Sequence, residues 1–127
     1  MTALLLVGLG GALGAMSRYK LGGLVLHHST DWKFPLSTFV VNVTGCLAAG
    51  ILAGLVEKHD LFPPQARLFL FTGLLGGFTT FSAFGLETVY LIQRHEWFWA
   101  SANVAASCAC GILALWLAMK TVFAVAA

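Results

Sequence analysis

Apolar positions along the chain collect into four long runs, residues 3–26, 36–56, 67–93 and 97–120, and polar residues fall mainly between them. Each run supplies about the 20 residues that a helix needs to cross a roughly 30 Å hydrocarbon core. The pattern therefore predicts four transmembrane helices forming one domain over 1–127. His27–Pro35, with Asp31 and Lys33, reads as a polar loop, Pro63-Pro64 as the loop ahead of the third run, and Arg94-His95-Glu96 as a tight turn before the fourth. The first run begins apolar at Ala3 without a basic leader and continues past Arg18 and Lys20, as expected of a retained helix rather than a cleaved signal. Tyr19, Tyr90, Trp97 and Trp99 suit headgroup-level anchors.

Composition agrees with the pattern: 59% of the 127 residues are hydrophobic, 9% are charged, and the mean hydropathy is +0.88. A net charge of +2 without a basic run excludes an electrostatic nucleic-acid footprint. Cys46, Cys108 and Cys110 lie in apolar sequence without a CxxC pair, which argues for packing rather than a disulfide or zinc site. No His, Cys or Ser is spaced with a base for catalysis, and His27, His28, His59 and His95 are expected in loops, so the chain does not read as an enzyme.

Four helices are few to enclose a polar pathway, so a transport function calls for a second copy. Lys and Arg distribute almost evenly between the two faces, with Lys58, Arg67 and Lys120 on one and Arg18, Lys20, Lys33 and Arg94 on the other. Three against four fixes no orientation. The expectation is insertion both ways and pairing as an antiparallel homodimer.

The third run holds a helix-breaking sequence at its middle, Gly73-Leu-Leu-Gly76-Gly77-Phe78-Thr79-Thr80-Phe81-Ser82-Ala83-Phe84-Gly85. Backbone groups in hydrocarbon must be paired, so such a break is tolerated where it is buried in protein or lines a cavity. Two glycines and two threonines can open the helix there and free carbonyl oxygens for a cation. Close packing of small residues is the competing reading. Phe81 and Phe84 share a face beside Thr80 and Ser82, and ring edges carry positive potential that can face an anion.

Elsewhere, Asn42 follows Thr38 by one turn, and Asn103, Ser107 and Gly111 fall on one face of the fourth helix. These groups suggest a shared polar track of hydrogen-bond donors. Intramembrane ionisable residues are functional candidates by default: Arg18 suits a vestibule that draws anions or a snorkel to the headgroups, and Glu87 a pairing with a buried donor or a subunit contact.

Gly10-Gly11-Ala-Leu-Gly14-Ala-Met-Ser-Arg18-Tyr19, Asn42 with Gly45, Gly76-Gly77-Phe-Thr79-Thr80-Phe81-Ser82-Ala-Phe84 with Glu87, and Asn103-Val104 together resemble the CrcB/Fluc family of fluoride channels. The likeness covers essentially the whole chain. It implies an all-α protein of the bacterial inner membrane, working as an antiparallel, dual-topology homodimer with two fluoride pores and a third helix broken at the midplane. By motif match, Phe81, Phe84 and Asn42 would be pore residues, with Thr80, Ser82 and Ser107 in the polar track. Arg18 would stand at the pore entrance, and the Gly76 and Thr79 carbonyls would hold a structural sodium ion at the dimer centre. A small multidrug-type antiporter would want a buried carboxylate in the first span, where this chain has Arg18.

Overall fold

The structure is a computed structural model that describes residues 1–125. Helix α1 spans Thr2–His28 and α2 spans Leu36–His59. The third span, Pro64–Gln93, is divided into α3, residues 64–78, and α4, Phe81–Gln93. Helix α5 spans Trp97–Val125. All four spans are long and apolar enough to cross a membrane, and the described residues contain no strand.

Helix ends follow local chemistry. Ser29 Oγ donates to the Val25 carbonyl at 2.8 Å and the Ser29 N–H to Leu26, pairing carbonyls that the last turn of α1 leaves free. Asp60 closes α2 in the left-handed region, with φ 50°, and its N–H donates to the Val56 carbonyl. Pro64 opens α3 at a first-turn position whose N–H would be unpaired in any case. From Leu68 to Leu75, α3 winds as a π-helix before a last α turn, Gly76–Phe78. His27, His28 and His59 stand on final helical turns rather than in loops, and His95 lies in the turn before α5.

The helices meet on backbone more than on large side chains. A Cβ on Gly14 of α1 would lie 2.1 Å from the Leu74 carbonyl oxygen of α3, and one on Gly50 of α2 would lie 2.3 Å from the Leu115 carbonyl oxygen of α5. Without a hydrophobic force between helices in lipid, contact this close supplies the van der Waals attraction that holds them. Val41 and Asn103, each 1% exposed, are the only large side chains fully buried among the described residues.

Candidate functional site

The third span opens at the threonines. Thr79 (φ −79°, ψ 155°) and Thr80 (φ −145°, ψ 109°) are extended, whereas Gly76 keeps helical angles of −62° and −37° and Gly77 sits in the last α turn. The glycine pair therefore does not form the break. Gly77 serves packing, because a Cβ there would lie 2.4 Å from the Gly11 carbonyl oxygen. The threonines suit the opening physically, being β-branched and able to bond locally. Thr79 Oγ1 donates to the Leu75 carbonyl, and Thr80 Oγ1 accepts the Ala83 N–H at 3.1 Å, capping α4.

Asn42 replaces the missing helical partners of Thr80. Its Nδ2 donates to the Thr80 carbonyl at 3.0 Å and its Oδ1 accepts the Thr80 N–H at 2.8 Å. Arg18 reaches the same region from α1, its Nε donating to the Gly77 carbonyl at 3.2 Å. Four successive carbonyls, Gly76 to Thr79, lose the i+4 donor that an unbroken helix would supply. Among the described residues only that of Gly77 gains another partner, and those of Gly76, Phe78 and Thr79 stay bare. Bare carbonyls at membrane depth are costly unless protein, water or an ion meets them.

Beyond the break, Phe81 is 85% exposed and its ring centroid lies 5.5 Å from that of Phe84. Ser82 is exposed beside it, with Oγ 3.4 Å from Thr80 Oγ1. Arg18, Ser37, Thr38 and Thr80 line a cavity of about 250 Å³ between α1, α2 and α4. Glu87 is held by a hydrogen bond from Thr38 Oγ1 at 2.6 Å, and its Oε2 is buried without a partner.

One expectation is not met within a single chain. Ser107 lies away from the break, donating to Asn103 Oδ1, while Asn103 Nδ2 donates to Thr88 Oγ1, which in turn donates to the Phe84 carbonyl. The polar groups thus form three clusters, Asn42 with Thr80, Thr38 with Glu87, and Ser107 with Asn103 and Thr88, with no hydrogen bond joining them among the described residues. The sequence reading missed Thr88. Its signal was its spacing, one turn beyond Phe84 on the face that α5 covers.

Four membrane-length spans, a third helix interrupted at its centre and a polar clamp across the interruption define a small multi-pass membrane protein. Residues 5–119 match the family model described as CrcB-like protein, Camphor Resistance (CrcB). A relative from Methylobacillus flagellatus, named fluoride-specific ion channel FluC, is 50% identical over 122 residues, covering 96% of this chain and 95% of that one. Relatives of the same name from Nitratidesulfovibrio vulgaris and Opitutus terrae are 40% and 43% identical, covering 95% and 92% of this chain and 97% and 89% of theirs. The chain belongs to the CrcB family, a family of ion channels and not of enzymes.

Proposed function

We propose that the protein is a passive, fluoride-selective channel that carries fluoride out of the cytoplasm across the bacterial inner membrane and so lowers its toxicity. The observation that carries the reading is Phe81, a large ring left 85% exposed one residue beyond a clamped break at membrane depth. Fluoride holds its water tightly. A selective path must replace that water with compact donors and ring edges, each weak enough to release the ion. Phe81, Phe84, Asn42, Thr80 and Ser82 offer such groups in this chain, and Arg18 supplies a positive charge at the cavity beside them.

The working unit is an antiparallel, dual-topology homodimer with two pores. Three features support it: exposed Phe81 and Ser82, the separate cluster at Ser107, and the near balance of Lys and Arg between the faces. A second, inverted copy would bring the Ser107 cluster of one protomer toward the phenylalanines of the other. The bare carbonyls of Gly76 and Thr79 are hard oxygen donors that fit a sodium ion at the centre of that dimer. Such an ion supplies fixed positive charge where helical hydrogen bonds are missing.

The test is ion efflux from liposomes holding the purified protein, fluoride against chloride. Rapid fluoride efflux with little chloride efflux, lost in Phe81→Ile, is expected. Equal chloride flux, or no fluoride flux, refutes the channel.

A further inference from the structure

The four carbonyls of the break differ in one respect: only Gly77's has a partner, and that partner is a full positive charge. Arg18 enters from α1, 59 positions away in sequence, and is half-buried. Gly77 follows Gly76 directly and precedes Thr79 by two residues, so this charge sits on a carbonyl between the two that are proposed to hold the cation. We infer that Arg18 is a positioning residue that makes the break a site for monovalent rather than divalent cations. The inference rests on the cation site proposed above and adds which side chain sets its preference for a monovalent ion.

Two effects act in the same direction. Arg18 takes one of the two acceptor positions of the Gly77 carbonyl and sets its charge beside an oxygen that a calcium ion, needing about 6–8 oxygen ligands, would otherwise draw on. Its charge repels any cation at the break in proportion to that cation's own charge, so a divalent ion meets twice the opposition. Arg18 is half-buried, so this repulsion is screened less than one between fully exposed charges. The other cationic side chain in the first span, Lys20, is exposed and makes no hydrogen bond among those described, so it gives the break no comparable contact.

The experiment uses the full chain purified in detergent in fluoride-free buffer. Thermal unfolding is followed while sodium or calcium is titrated against a bulky organic cation, because an ion that binds the folded protein raises its melting temperature. Wild type should be stabilised by sodium at far lower concentration than by calcium. In Arg18→Gln the ratio of calcium to sodium midpoints should fall at least tenfold, and in Arg18→Lys, which keeps the charge, it should stay near the wild-type value. An unchanged ratio in Arg18→Gln overturns the inference, as does a tenfold fall in Arg18→Lys. Should Arg18→Gln not fold, Arg18→Met, which also removes the charge, takes its place under the same criterion. A wild-type protein indifferent to both ions refutes the cation site itself, which is a different failure.

Discussion

Gly76 and Gly77 are adjacent in sequence and do opposite work. A Cβ on Gly77 would strike the Gly11 carbonyl of α1 at 2.4 Å, whereas one on Gly76 would find only the Phe71 carbonyl at 3.7 Å, an ordinary contact. Gly77 belongs to the seam between α1 and α3, which also holds Gly10, Gly14 and Gly73 and closes within one chain. Gly76 stands in the helical turn just ahead of the break, whose bare carbonyls and exposed Phe81 are left unfinished by a single chain. Small residues in a membrane protein thus mark either a contact already made or a surface kept clear. Only the space around each tells which.

The sharpest way to break this comparison is to fill both regions. Gly14→Ala would place a methyl 2.1 Å from the Leu74 carbonyl oxygen, where backbone rather than a flexible side chain must move. Overpacking of this kind costs about 3 kcal/mol, and the expected result is a steep fall in melting temperature or in the yield of folded protein. Gly76→Ala meets no such obstacle, and the helix gains roughly 0.5–1 kcal/mol of propensity. Its protomer should fold normally, while fluoride efflux and dimer recovery fall. Equal loss of folding in both variants would erase the distinction.

A smaller effect is expected at the clamp. Asn42→Asp keeps an acceptor for the Thr80 N–H but loses the donor to the Thr80 carbonyl, leaving that group unpaired at a cost of about 1–3 kcal/mol. It also sets a negative charge beside the proposed anion path. Fluoride efflux should disappear while the melting temperature drops by only part of the Gly14→Ala change. A variant that keeps full flux would remove Asn42 from the pathway.

The four spans were legible because hydrophobic runs of membrane length leave few alternatives, and the observed helices overrun those runs by only a few residues. The interruption was legible to within a few residues, but the glycines drew attention from the threonines. Their conformational freedom is visible in sequence, and their close approach to α1 is not. Long-range partners were not legible either. Arg18 meets Gly77 across 59 positions and Asn42 meets Thr80 across 38, and no periodicity within one helix encodes such a pairing. The exposure of Phe81 was equally hidden, since two phenylalanines three apart look the same in a core and on an open face.

The least effect is expected where the loops meet. Lys33 Nζ lies 2.6 Å from Glu96 Oε1, tying the segment before α2 to the turn before α5, with side chains 60% and 32% exposed. Exposed pairs of this kind contribute about 0–1 kcal/mol. Lys33→Gln should therefore shift stability by at most a few tenths of that range in moderate salt, and even this should vanish near 1 M salt, where the screening length is about 3 Å. The Gly14→Ala loss has no ionic component and should be the same at both salt concentrations. Measuring both variants at low and high salt separates a direct ion pair between solvent-exposed loops from a seam made by backbone contact inside the membrane. A salt-independent loss in Lys33→Gln would mean that the pair holds the fold by packing, and the two regions would then differ less than their geometry implies.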